Sequence, residues 1–186
     1  LTEAIASYKK AILLKANFPD AHNNLGSALQ QRGDLTSAIA SFNNAIMLKP
    51  DNEEAHLNLS LAMLLNDNYE KGWELYEWRN KQKGSVSRLH ALPKCKLWDG
   101  RPLKEETKLL LVTEQGLGDT LQFMRYSLAL KNQNLNISLC ASPRLHPLIK
   151  SSGLDPSPLS PKQAEQVKEG QWIPLLSVPR HLNCDK

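Results

Sequence analysis

Cysteine and aromatic side chains are scarce in these 186 residues, and no long apolar run occurs. The three cysteines, Cys95, Cys140 and Cys184, stand far apart, and none forms a C-x-x-C pair. An odd, dispersed set argues against a disulfide scaffold and a cysteine zinc site, and it fits a reducing cytoplasm better. No stretch approaches the roughly 20 apolar residues of a membrane-spanning helix. No signal-peptide layout is present. His, Cys, Asp and Glu are nowhere gathered at metal-ligand spacing, so no metal and no cofactor is expected. The phosphate loop G-x-x-x-x-G-K-[ST] is also missing. What remains is ordinary for a globular chain: 41% hydrophobic, 23% charged.

The net charge of +4 is unevenly placed. Residues 1–70 carry 5 Lys/Arg against 8 Asp/Glu, residues 71–108 carry 10 against 5, and residues 109–186 carry 8 against 6. The basic excess centres on "RNKQKGSVSRLHALPKCK". Aromatics are not interleaved with it and no nucleic-acid motif accompanies it, so a solvated linker is the expectation.

The first half repeats at an offset of 34. Leu25-Gly26 falls in step with Leu59-Ser60, Ala21 with Ala55, His22 with His56 and Asn24 with Asn58. Ala4, Ala38 and Gly72 form a second series, and Tyr8, Phe42 and Tyr76 a third. This period and its small-residue and aromatic pattern resemble the tetratricopeptide (TPR) repeat, a helix–turn–helix unit. Residues 1–82 then hold the second helix of one unit (about 1–16), a full unit (19–52) and another (53–82). Leu25, Leu29, Ile39, Phe42 and Ile46 recur at helical spacing and should form the buried seam. Gly26, Ala38 and Ala45 should let helices approach closely. A chain opening on a second helix is expected to have further repeats before it. Trp73, Tyr76 and Trp78 are bulky for a repeat interior and are expected to cover the end of the stack and dock the next domain. Residues 83–107 read as a linker, with a turn at Asp99-Gly100 and Trp98 packed on a neighbouring domain.

Asn24 and Asn58 stand one repeat apart, on the first helix of their units. An amide supplies both a donor and an acceptor, which matches a peptide unit. Such a row resembles that of TPR-linked O-GlcNAc transferases, where asparagines of this kind hold the substrate chain. The resemblance implies a protein or peptide partner on the concave face of the repeats. Solvated amides are the alternative.

From residue 108 the pattern changes. "KLLLVT" (108–113) fits a strand covered on both faces. "DTLQFMRYSLALKN" (119–132) fits a helix with Leu121, Met124, Leu128 and Ala129 along its apolar side. "NISLCAS" (136–142) fits a second strand, and "PRLHPLIKSSG" (143–153) a helix shortened or kinked at Pro147. "QWIPLLSVPRHL" (171–182) fits a third short strand and a loop. This is βαβ spacing and predicts a partial Rossmann-like parallel sheet over 108–186. The fold class is therefore an α-helical TPR solenoid followed by a partial α/β domain.

The loop "EQGLGD" leaves the carboxyl end of the first strand, the rim at which open parallel sheets bind ligands. Gly116 and Gly118 permit a tight turn and close approach of a ligand, and the first helical turn favours an anionic group. A dinucleotide fingerprint fails here, because Leu121 stands where its third glycine should. Asp119 reads equally as a helix N-cap, with Gln122 three residues on to complete a capping box.

"GWELYEWR", "LWDGRPL", "KLLLVTEQGLGDTLQFMRY" and "PLLSVPR" occur in this order in bacterial TPR proteins fused to a glycosyltransferase domain. That domain is similar to the ADP-heptose–lipopolysaccharide heptosyltransferases (glycosyltransferase family 9-like). The resemblance spans most of 53–182, and E-Q-G-x-G-D-x-x-Q-F-x-R-Y is its most specific part. It implies a GT-B architecture and transfer of a sugar from a nucleotide sugar to an acceptor. It also implies Asp119 as the general base, with Glu114, Gly116, Gly118, Gln122 and Arg125 on the substrate rim. Two Rossmann-like halves need roughly 300 residues. Residues 108–186 are thus expected to be the incomplete first half, binding nucleotide sugar only within a full-length protein. Alone the chain is expected to be inactive. The alternative is a non-catalytic TPR interaction module with an α/β remnant.

Overall fold

The computed structural model describes residues 1–81 and 89–182. They fall into two compact units, divided between these two stretches.

The first unit is a run of five helices: α1 (Thr2–Leu14), α2 (Pro19–Gln31), α3 (Leu35–Leu48), α4 (Glu53–Leu65) and α5 (Tyr69–Tyr76). A 3-10 turn, Glu77–Asn80, continues α5. Local chemistry sets the boundaries. Pro19 occupies the first turn of α2, where its missing N–H costs nothing. Asp34 caps α3 by accepting from Ser37 N–H at 3.1 Å, and Asn52 caps α4 by accepting from Ala55 N–H at 3.1 Å. Gly33 takes φ +87° in the turn between α2 and α3.

The 34-residue pattern becomes packing. Ala38, Phe42, Ala45, Ala55 and Ala62 are wholly buried, and Leu25, Leu29 and Leu59 nearly so. Ile39 and Ile46, expected in the seam, are half-buried against it. A Cβ on Gly26 would meet the Phe42 ring at 2.6 Å, and one on Gly72 would meet Leu64 at 2.7 Å. Small residues thus let α2 close on α3 and α4 on α5. In the last repeat Trp78 stacks on His56, with ring centroids 3.6 Å apart and planes 5° from parallel. Trp73 meets Tyr76 edge-on at 5.7 Å. Arg79, which stands one repeat after Ala11 and Ala45, is buried and pairs with Glu77 at 2.8 Å.

The second unit is a four-stranded parallel sheet. Its strands are β1 (Lys96–Leu97), β2 (Leu109–Val112), β3 (Ile137–Cys140) and β4 (Gln171–Pro174), in spatial order β1-β4-β2-β3. Leu111 pairs with Leu139 on one side and Ile173 on the other. All residues of β2 and β3 are buried, as their unbroken apolar runs require. The helices are α6 (Leu117–Phe123), α7 (Arg125–Asn132), α8 (His146–Ser151) and α9 (Pro161–Ala164). Among the described residues no helix is long and apolar enough to cross a membrane.

Two expectations need correction. The stretch read as a linker contributes β1, which pairs with β4, and buries Trp98, whose Nε1 donates to Arg101 O at 2.7 Å. Two strand residues are too few for a period to show. The helix expected over 119–132 starts two residues earlier and breaks at Met124 into α6 and α7. Its buried line is Thr120, Phe123, Met124, Ser127 and Leu130; of the expected apolar residues Met124 is buried and Ala129 half-buried, whereas Leu121 and Leu128 are exposed. As expected, the helix at Pro147 is short: a 3-10 turn, Pro143–Leu145, precedes it and Pro147 lies in the first turn of α8.

Candidate functional site

β2 lies between β3, reached next along the chain, and β4, reached last. The chain therefore leaves β2 toward one side of the sheet and returns to the other. That reversal opens a crevice at the carboxyl ends of the strands. The loop 113–116 occupies this place.

The loop is not shaped by its glycines. Gly116 has φ −86° and ψ 171°, and Gly118 is not among the positive-φ residues. Gln115 instead takes the left-handed conformation, with φ 62°. For a non-glycine residue this costs of order 1 kcal/mol and persists only where neighbours enforce it. They do. His90 N–H donates to Thr113 O at 3.0 Å. The His90 ring contacts Thr113 Oγ1 at 2.6 Å and Gln115 O at 3.0 Å. Leu89 and Glu114 form an antiparallel bridge. Both glycines are exposed, and a Cβ on Gly118 would meet nothing within 4 Å, so bare backbone faces outward there.

Asp119 is not the N-cap of α6. Gly116 holds that position, and Asp119 is the third helical residue. Its Oδ2 accepts from Gly116 N–H at 3.1 Å. This is the reach-back half of a capping box; the other half cannot form, because glycine has no side chain. Asp119 Oδ1 has no hydrogen-bond partner among the described residues. Gln122, expected as the capping partner, is exposed and takes no part.

The other rim candidates separate. Glu114 is buried, and its Oε1 accepts from Leu176 N–H at 3.2 Å, tying the loop to the 3-10 helix Leu175–His181. Arg125 is exposed at the start of α7, with its guanidinium 5.0 Å from the Tyr126 ring centroid and 3.2 Å from Tyr126 Oη. A cleft of about 500 Å³ lies at the opposite end of the sheet. Trp98, Arg101, Lys104, Asn134, Asn136 and His181 are among the residues that line it.

In the repeats, Asn24 is exposed on α2 and makes no side-chain hydrogen bond among the described residues. Asn58 on α4 is half-buried and donates to Asn23 Oδ1 at 3.0 Å. Asn23, buried, donates in turn to Glu54 Oε1 at 3.2 Å. The two asparagines one repeat apart are therefore not equivalent. Asn23 and Glu54 join the group, and comparison at an offset of 34 could not find Asn23, since Leu57 stands in its place. His56 is occupied by Trp78 and by Pro50 O, at 2.9 Å from its Nε2.

Residues 1–31 and 27–67 match the family model for the TPR repeat. Comparison with curated proteins finds no match. Among solved structures, a Thermobaculum terrenum O-GlcNAc transferase mutant is similar at 17% identity with a TM-score of 0.38. The likeness covers 81% of this chain and 29% of that one.

Proposed function

We propose that the repeats hold a polypeptide and that the α/β unit takes part in sugar transfer from a nucleotide sugar to an acceptor, with Asp119 as general base. The Oδ1 of Asp119, without a hydrogen-bond partner among the described residues and at the switch point of the sheet, carries this reading. Oδ2 is held by the Gly116 amide, which fixes the carboxylate while Oδ1 stays available. In the proposed step Oδ1 takes the proton of the acceptor hydroxyl as that oxygen bonds to the anomeric carbon. The bond from that carbon to the donor phosphate breaks, and the nucleotide leaves with the electron pair. Gly116, Gly118, Gln122 and Arg125 are the proposed rim of the acceptor site. Glu114 supports the loop from beneath it, through Leu176 N–H. Asn24 and Asn58 are the proposed polypeptide contacts.

The test is nucleotide release from a panel of nucleotide sugars by the full-length polypeptide that carries these residues. Asp119→Asn keeps an acceptor for Gly116 N–H but removes the base. The expected result is loss of transfer with the melting temperature nearly unchanged. Full activity in the variant would exclude Asp119 as the base.

A second reading is a repeat-based binder without catalysis. The exposed Asn24 amide on α2, with no side-chain hydrogen bond among the described residues, favours it. This reading predicts polypeptide binding without nucleotide release from any donor.

A further inference from the structure

Two observations, one on the loop 113–116 and one on the first turn of α6, meet in a single peptide unit. The carbonyl of Gln115 and the N–H of Gly116 belong to one planar amide. The carbonyl lies 3.0 Å from His90 Nε2, and the N–H donates to Asp119 Oδ2 at 3.1 Å. A carbonyl only accepts, so His90 Nε2 carries the proton and donates. In the neutral ring Nδ1 is then the acceptor, and Thr113 Oγ1, at 2.6 Å, donates to it. The tautomer is thus fixed by its two partners. The ring is held by these two contacts, and the His90 backbone by its N–H bond to Thr113 O and by the neighbouring bridge of Leu89 to Glu114.

We infer that His90 is a positioning residue for Asp119, acting through the 115–116 peptide, a role that rests on the transfer reading of Asp119. The imidazole sets the rotation of that peptide plane, and the plane sets where the Gly116 N–H points. Donation into the carbonyl also polarises the amide, which strengthens the N–H bond to the carboxylate. Gln115 is left-handed, so nothing in its own conformational preference holds the plane in this orientation. His90 supplies the restraint from a segment about 25 residues earlier. Its ring bonds Thr113 and Gln115 rather than Asp119, and it is not itself catalytic.

The experiment compares His90→Gln with His90→Asn on the full chain. A glutamine amide reaches about as far as Nε2 and can still donate to the Gln115 carbonyl; an asparagine amide stops near Nδ1 and cannot. Both avoid the cavity that alanine would leave. The readout is the Gly116 amide proton resonance, with and without Asp119→Ala. In the parent, Asp119→Ala removes the carboxylate acceptor and moves this resonance upfield. The same displacement is expected in the His90→Gln background and its loss in the His90→Asn background. Displacement retained in both, or lost in both, would overturn the role. In the full-length polypeptide, kcat for transfer should fall by about tenfold to a hundredfold in His90→Asn, with KM little changed, and recover in His90→Gln. If transfer is absent altogether, the catalytic reading fails while the amide resonance still decides the positioning.

Discussion

Asn58 donates its side-chain amide to Asn23 Oδ1 at 3.0 Å, joining α4 to α2 across 35 residues of chain. The orientation of both amides follows from a third group. Glu54, as a carboxylate, only accepts, so Asn23 must turn its Nδ2 toward Oε1, 3.2 Å away. Asn23 Oδ1 then faces Asn58, which must donate. One donor of each amide is consumed inside the network, and Asn58 Oδ1 is left to accept.

Asn23 is therefore structural, and Asn24 beside it is not. Asn23→Ala removes a buried donor and acceptor together and should lower unfolding stability by about 1–3 kcal/mol. Asn24→Ala, on an exposed face, should stay within about 0.5 kcal/mol of the parent. Urea denaturation of the two single variants separates them. Equal costs would mean that the network contributes nothing.

The polypeptide-binding reading makes the opposite demand. Asn24→Ala with Asn58→Ala should weaken an extended polypeptide by about tenfold, the worth of one or two net hydrogen bonds. Calorimetric titration with an unstructured polypeptide is the check. Unchanged affinity would remove both residues from the binding face.

Gly26 and Phe42 show how little room the repeat interface leaves. Alanine usually favours a helix over glycine by about 1 kcal/mol. At Gly26 the new Cβ would meet the Phe42 ring at 2.6 Å, and that ring is fully buried. Overpacking of this kind costs about 1–3 kcal/mol, so Gly26→Ala should destabilise despite the better helix former. Phe42→Ala should cost about 3–5 kcal/mol. Thermal melts of both variants test this, and a stabilised Gly26→Ala would show that the helices can part without loss.

The repeat is legible in the sequence because its code is local. A small residue and an aromatic at fixed offsets dictate the packing of Ala38, Phe42 and Ala45, and all three are wholly buried. The strands β2 and β3 are legible for the same reason, since four consecutive apolar residues need cover on both faces. The loop is legible only in outline. Asp119 has the sequence signature of an N-cap because it precedes an apolar stripe, yet Gly116 caps α6 and Asp119 reaches back to it. Glu114 belongs to the rim by its place in the chain, but its partner is an amide 62 residues away, which no local pattern discloses. His90 carries no motif at all. Its part in the loop exists only once Leu89 and Glu114 are paired.

Cys140 gives the fold a calculable response to alkali. It lies in β3, wholly buried. Burial first, and the negative charge of Glu165 second, push its thiol from an ordinary 9.0 up to about 12. The unfolded thiol loses its proton near the ordinary value, while the folded thiol keeps it. Above that value the native state binds more protons than the unfolded state, so stability falls as pH rises. This contribution is fully present below pH 9 and is lost between about 9 and 12, with a slope of about 1.4 kcal/mol per pH unit. Lysines and tyrosines titrate in the same range, so the informative quantity is a difference. Cys140→Ala should be less stable than the parent at pH 7 because of the cavity it leaves. That deficit should shrink as pH rises from 9 toward 11. Denaturant unfolding at several pH values measures it. A deficit constant across that range would mean that the buried thiol ionises in the folded protein as readily as in the unfolded chain.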